Sequence, residues 1–353
     1  MKSHFAVGNT RKVFGIFLIA TLFSGLAFMA RVAFAAAPFY EGKVIRIIVS
    51  TPPGGGFDLH ARLFSRHLGK HIPGNPTFIV ENMPGAGSLI ATNYIYNMAK
   101  PDGLTIGHFN GTVLFNQILG QEGTNFDPQK FEFIGSPEKS TNLIVLSKAS
   151  GITSVEKWLA SKTPVKFGGV ASGSVTTDTT PRMLKSVLGF PVQLVSGYKG
   201  TAEIRLAVDT GEVAGVCVGW DIMNGPWREA MQKGNVVIVM QAQQNPLPQV
   251  PNIPQAISFA KTEEARQLIK AGIYDILVIS RPFALPPGTP KDRVQLLRNA
   301  FQATLKDKEF LTEVEKTKAG FDPVSGEEFS KIVAGLSQVS PSMVSKLKDI
   351  LFK

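Results

Sequence analysis

The sequence predicts an α/β fold of two lobes, each a mainly parallel sheet covered by helices, and three observations carry that prediction. Short β-branched apolar runs alternate with segments of helical periodicity from Val44 onward, the pattern of strands buried under helices on both faces. The first run passes directly through a glycine-rich turn into a helical segment. At 353 residues with one cysteine, Cys217, the chain has no intrachain disulfide to staple it and must build large cores, for which two domains is the natural division.

Residues 1–35 read as an address label. Lys2, Arg11 and Lys12 form a basic start, Val13–Ala30 carries no charge, and Ala33-Phe34-Ala35 offers a small-x-small cleavage site ahead of Ala36. The expected product is an exported, periplasmic protein with the signal peptide cleaved. Val13–Ala30 is borderline in length for a membrane span, which leaves an uncleaved anchor as the alternative. Removing residues 1–35 takes away four basic residues and no acidic one, so a balance of 37 against 27 becomes 33 against 27, or +6. A mildly basic exported protein suits small acidic molecules. Its basic residues are scattered, with no Lys/Arg run and no basic stripe interleaved with aromatics, so nucleic acid is not an expected partner.

Val44–Val49 is the first strand, and Thr51-Pro52-Pro53-Gly54-Gly55-Gly56-Phe57-Asp58 is the turn that follows it. The helical periodicity resumes over Leu59–His71. A strand, a glycine turn and a helix start together present free backbone N–H groups at the positive end of a helix dipole, which is an anion site. The glycines let a ligand approach the backbone closely. A Walker loop would need Gly-Lys-Ser/Thr where Gly56-Phe57-Asp58 stands, and the dinucleotide fingerprint would need a small residue where Leu59 stands. A mono- or dicarboxylate held by backbone amides, with Asp58 facing a hydroxyl or amine, fits this loop better than a polyphosphate. The alternative is a tight turn in which Asp58 merely caps the helix.

The remaining elements follow in order. Strands are expected over Thr77–Val80, Leu104–Phe109, Phe131–Ile134, Leu143–Leu146, Val165–Phe167, Val192–Val195, Val213–Gly219 and Val236–Met240, with helices over Ser88–Ala99 and Ala202–Asp209 among them. Cys217 falls inside one of these strands as a packed thiol. Ile276–Ile279 leads into Pro282–Pro290, and the tail from Lys291 is mainly helical. Ala171-Ser172-Gly173-Ser174 is a second strand–small-residue–helix junction, able to face the first across a cleft, and Gly85-Ala86-Gly87-Ser88 is a third. His67 and His71 share a helical face, but no third ligand stands near, so they read as a solvated face rather than a metal site. A nucleophile elbow is absent and no Cys–His pairing is suggested. No catalytic residue, metal or cofactor is expected.

The order of these motifs resembles the Bug family, the periplasmic solute-binding components of tripartite tricarboxylate transporters. The residues that carry the resemblance are Val44–Val49 with Pro52–Asp58 and Ala61-Arg62, Val80–Gly87, Lys100–Thr105, Gly197–Gly200, Gly211–Val213 and Leu285–Pro290. The resemblance implies a periplasmic-binding-protein-like fold with the ligand cleft between two lobes: residues 36–141 and 272–353 in the first, and 142–271 inserted as the second. It implies a ligand carboxylate held between Thr51–Asp58 and Ser172–Val175, so that Thr51, Gly55, Gly56, Phe57, Asp58, Gly85, Ser172, Gly173, Ser174 and Val175 are the site residues expected nearest it. Phe57, Asp58, Tyr198 and Asp221 would read the far end of the solute. Thr51 stands where an aromatic is common, Phe57 where a small residue is common, and Thr176-Thr177-Asp178 replaces a frequent His-Leu. The function implied is capture of a small carboxylated solute by a monomer that delivers it to membrane permease subunits. The alternatives are an exported α/β hydrolase acting on a carboxylated substrate, and a periplasmic sensor or adaptor without a transport role.

Overall fold

The computed structural model describes residues 37–170 and 174–352. The expected signal peptide, residues 1–35, lies outside them, as do Ser172 and Gly173 of the second junction. No helix among the described residues is long and apolar enough to cross a membrane.

The described strands are β1 (Val44–Val49), β2 (Thr77–Asn82), β3 (Thr105–His108), β4 (Glu132–Ser136), β5 (Leu143–Ser147), β6 (Val165–Gly169), β7 (Val192–Ser196), β8 (Gly215–Val218), β9 (Val236–Gln241), β10 (Phe283–Leu285) and β11 (Val324–Ser325). They form one sheet in the order β11-β4-β10-β3-β1-β2 and another in the order β7-β6-β8-β5-β9. β1 is parallel to both its neighbours and buries Ile45, Ile47, Ile48 and Val49 completely, which is why its sequence is apolar apart from Arg46, whose side chain reaches out to Glu81.

Both sheets are mixed, with most strands of each running one way as expected: β1 to β4 in the first and β6 to β9 in the second. In the first, β10 runs antiparallel to β3 and β4, and β11 antiparallel to β4. In the second, β5 runs antiparallel to β8 and β9. The reversals fall where the chain changes sheet: β5 is the first strand after the outward crossing, and β10 the first after the return crossing, which carries the helices Glu263–Ile269 and Asp275–Val278. β10 hides inside the proline-bracketed segment Pro282–Pro290 and is three residues long, too short to show a period. The apolar run Ile276–Ile279 is mostly the end of a helix, Asp275–Val278.

The two sheets share a core. Ile48, Phe109 and Phe133 of the first belong to the same buried cluster as Ile144, Phe167 and Cys217 of the second, joined through the helical stretch around Ile273–Ile279. The C-terminal helix Pro341–Phe352 packs on the helix Thr180–Leu188 of the second sheet, where Leu347 and Met183 close around Gly272. On the outer face of the first sheet, Phe64 stacks on Phe301 at 4.8 Å and meets Phe283 and Phe310. The face carrying His67 and His71 is not simply solvated. His67 Nε2 lies 2.7 Å from Glu313 and His71 Nε2 lies 3.0 Å from Asp307, so this face docks the helix Lys308–Thr317. Lys70 Nζ sits 2.7 Å from Asp307 and 2.8 Å from Glu309, placing a cation of the protein's own among those carboxylates.

At Gly111 the loop after β3 meets the chain returning to the first sheet: its N–H donates to the Ser280 carbonyl at 2.9 Å, and a Cβ there would collide with the Ile279 carbonyl oxygen. Gly111→Ala is therefore expected to lower unfolding free energy by about 1–3 kcal/mol, the cost of overpacking. Urea denaturation of the two proteins checks this, and an unchanged midpoint would refute it.

Candidate functional site

Strand direction decides where the polar loops go. β1, β3 and β4 end at one edge of the first sheet, and β10, running the other way, begins there, with Phe283 opposite His108 at the end of β3. In the second sheet β6 and β8 end where the antiparallel β5 begins and β9 finishes, since Leu143 pairs with Val218 and Gln241. The two crossings, 137–142 and 242–282, join these two edges. The loops after β1, β3, β6, β7 and β8 therefore all open toward one crevice between the sheets, the usual ligand position in open α/β sheets.

The first of these loops departs from expectation in its helix. That helix begins at Gly56 rather than Leu59, running Gly56–His67, and Gly55 occupies its N-cap with no side-chain cap. Gly54 adopts φ +88°, whereas Gly55 has the ordinary extended values φ −87°, ψ 175°. A Cβ on Gly55 would meet nothing within 4 Å, so its face is open. Asp58 is in the first turn, yet its carboxylate neither caps the helix N–H groups nor faces the crevice. Oδ2 accepts from the Gly54 N–H and from Arg62 Nε, both at 2.9 Å, and Oδ1 accepts from Asn82 Nδ2 at 3.0 Å. This is the reach-back of a capping box, made one residue further out. Asp58 is 4% exposed, and the hydrogen bond from Arg62 foremost holds its carboxyl down at about 2. Asn82 Nδ2 also donates to the Thr51 carbonyl at 2.8 Å, so one side chain ties both ends of the turn. Thr51 Oγ1 is buried with no partner among the described residues.

Beneath the loop lie residues that sequence periodicity did not single out. Arg281 approaches so closely that its Nη1 is 2.8 Å from where a Cβ on Gly56 would stand. Its guanidinium carbon is 4.8 Å from the Phe57 ring centroid, and its Nε is 3.2 Å from Glu138 Oε2. Burial pushes Glu138 above the usual carboxylate range, with Arg281 opposing. Phe57 in turn rests on His108 at 5.2 Å, and His108 stacks on Phe283 at 4.1 Å. His108 Nδ1 faces the Pro282 carbonyl and His60 Nε2 the Gly320 carbonyl, each at 2.9 Å. Burial, with Arg281 contributing, pushes His60 down to about 4 and His108 well below its ordinary value, so both imidazoles are neutral. Their only sequence signal was polarity, on a strand end and on a helix face; pairing with the chain two hundred residues away is a tertiary fact.

The other expected site residues divide. Gly85 (φ +143°) opens a run of left-handed residues through Ser88, whose hydroxyl donates to Ser50 Oγ at 2.8 Å, so this junction braces the end of β1. The Ser174 side chain accepts from the Thr177 N–H and its Oγ lies 2.8 Å from Thr177 Oγ1, and Val175 begins a helical turn against the shared core. Tyr198 points its hydroxyl at Glu212, 2.7 Å away in an exposed position, and desolvation with that bond raises it to about 12. Asp221 begins the helix Trp220–Asn224 and lines a cavity of about 780 Å³ with Glu138, Thr141, Trp220, Phe321 and Asp322. This cavity adjoins the crossing and takes in none of Thr51–Asp58; Glu138 of its lining reaches Arg281, and Gly320 reaches His60 of the helix after the first loop.

Two mixed sheets with one crevice between them are the architecture of periplasmic-binding-protein-like receptors, a class that takes solutes rather than transforming them. Residues 61–347 match the family described as the tripartite tricarboxylate transporter family receptor, TctC, and the chain belongs to that family. Solved structures agree on the fold. A TctC solute binding protein from Polaromonas, without ligand, superposes with a TM-score of 0.69 at 20% identity, over 87% of this chain and 99% of that one. An R. palustris protein with adipate gives 0.61 at 19%, over 88% and 97%. MatC from Rhodopseudomonas palustris with bound malate gives 0.57 at 21%, over 88% and 99%.

Asp58 supplies a pH test of the loop. Its carboxyl titrates lower when folded than the ordinary 3.8, so its contribution is full above that value and is lost as pH falls toward about 2. Asp58→Asn is expected to melt lower than wild type at pH 7, and the gap should narrow on acidification through that window. Melting curves from pH 7 to 2 check it; a gap independent of pH would show that the charge is idle.

Proposed function

We propose that this protein is an exported periplasmic receptor that binds a small dicarboxylate in the crevice and passes it to membrane permease subunits, without chemical conversion. One observation carries the reading: an open, uncapped helix start at Gly55–Gly56, at the head of a 12-residue helix, opens onto the crevice beside a buried guanidinium. The bound malate and adipate of two relatives support the substrate class. In this reading residues 36–141 and 272–353 form one lobe and 142–271 the other, with the C-terminal helix bracing the second. Ligand touches both lobes only when they close, and so stabilises the closed state. The first loop supplies backbone N–H groups and Ser172–Val175 the opposing wall. Trp220 and Asp221 read the far end, and Asp58 shapes the loop without touching the solute. A monomer suffices for this mechanism. The hydrolase alternative needs a nucleophile against a base, and His60 and His108 instead face carbonyl oxygens.

A thermal-shift screen of C4 to C6 dicarboxylates is expected to raise Tm, since a ligand at a hundred times its Kd adds about 2.7 kcal/mol. The geometry makes Gly55→Val a clean partner to that screen. Its backbone angles suit any residue and its Cβ meets open space, so the variant should fold with an unchanged apo Tm while losing the ligand shift. A retained shift would remove this loop from the site. Recovery of a chemically altered acid after incubation would remove the receptor reading.

A further inference from the structure

The crevice contains a positive charge for which the first loop has no use of its own. Arg281 precedes β10 by two residues, and because β10 pairs antiparallel with β3, Arg281 is carried to the edge where β1 and β3 end. There it lies over Gly56, against Phe57 and beside Glu138. The approach of Nε to Glu138 is close but bent away from hydrogen-bonding alignment: Nε and Nη1 are both buried with no hydrogen-bond partner among the described residues. A guanidinium offers five N–H donors and no acceptor, so an unfilled fork in a buried position calls for an oxygen-rich partner. About a fifth of the side chain, 22%, remains open.

The surroundings narrow what that partner is. The helix start at Gly55–Gly56 is a second source of positive potential at the same spot, and two such sources held together favour an anion between them. The neighbouring imidazoles add no proton. With Nδ1 of His108 and Nε2 of His60 committed to carbonyl oxygens, the other ring nitrogens, His108 Nε2 and His60 Nδ1, carry buried lone pairs with no hydrogen-bond partner among the described residues. These repel an anion and favour the guanidinium's N–H side, so the charge on offer is that of Arg281. Phe57 and Glu138 flank it.

Building on the carboxylate-receptor reading, we propose that Arg281 contacts the ligand directly, its guanidinium taking one carboxylate together with the backbone N–H groups at Gly55–Gly56. The site is then a charged one, selecting ionised carboxylates over the corresponding amides and esters, and Glu138 is the internal carboxylate that occupies one edge of the guanidinium while the crevice is empty.

Calorimetry with malate, adipate and adipamide on wild type, Arg281→Gln, Arg281→Lys and Glu138→Gln tests this. For whichever acid binds wild type, Arg281→Gln should weaken binding about ten- to a hundredfold, the worth of a hydrogen bond to a charged group. Arg281→Lys should recover part of the loss, since it keeps the charge but not the fork. Wild-type affinity should fall between 0.05 and 0.5 M NaCl, while Arg281→Gln should be nearly insensitive to salt. Glu138→Gln should bind several-fold tighter, and adipamide should not bind. Equal affinity of wild type and Arg281→Gln, with a lowered apo Tm, would make Arg281 a structural residue and overturn the inference alone. Silence of wild type toward both acids would overturn the receptor's dicarboxylate reading and this inference with it. Should Arg281→Gln fail to fold, Arg281→Lys and Glu138→Gln decide: unchanged affinity in both refutes the contact.

Discussion

The structure turns on the two places where the chain crosses between its sheets, because they fix how the two edges of the crevice meet. The outward and return crossings are zipped to each other: the Ser140 N–H donates to Leu277 at 3.0 Å, and the hydroxyls of Ser140 and Ser280 lie 2.8 Å apart. Each sheet then fastens to this seam. Gly111 beyond β3 donates to Ser280, and Trp220 beyond β8 donates its N–H to Thr141 Oγ1 at 2.7 Å. Asn142, fully buried, donates through its backbone to Gln243 Oε1 and through its side chain to Thr180 Oγ1. Buried polar seams of this kind are specific because each unmade bond is costly, whereas the apolar cluster on either side adapts more freely.

The crevice walls use one device twice. Asp58 in the first loop reaches back to the Gly54 N–H, and Asp178 in the second reaches back to the Val170 N–H at 3.1 Å, with Thr177 Oγ1 donating at 2.7 Å and Ser196 Oγ at 3.2 Å. Both carboxylates are nearly inaccessible, at 4% and 1%. In the first loop the aspartate fixes the turn from within, bonded to Gly54, Arg62 and Asn82. An aspartate near an anion site is otherwise repulsive; turning it into the loop removes that conflict.

Electrostatics then divides the labour. Backbone dipoles and Arg281 supply positive potential on the first sheet's side, the buried imidazoles stay neutral, and Glu138, Asp221 and Asp322 line the cavity beyond. An acid bound at the loop would present its far end toward groups able to accept hydrogen bonds, which suits a hydroxylated or partly protonated tail.

The sequence by itself determined most of the strands and the glycine turn that follows the first. Val44–Val49, Leu143–Leu146 and Val165–Phe167 declare themselves because buried strand positions must be apolar, a local requirement that is interrupted in these runs only at Arg46 and Lys166, which are not buried. Gly54-Gly55-Gly56 declares a loop that a ligand can approach, because that depends on missing Cβ atoms. What only the tertiary structure decided depends on partners distant in sequence. Asp58 read as a ligand contact, with a helix cap as the alternative, until Asn82 arrived from β2 to claim it. Arg281 sat in an unremarked Ser-Arg-Pro until β10, three residues long and hidden between prolines, brought it over Gly56. His60 and His108 had no meaning until Gly320 and Pro282 closed on them. A periodic pattern records which face is buried, but not what it is buried against, and the charge of this crevice is set by the second of these.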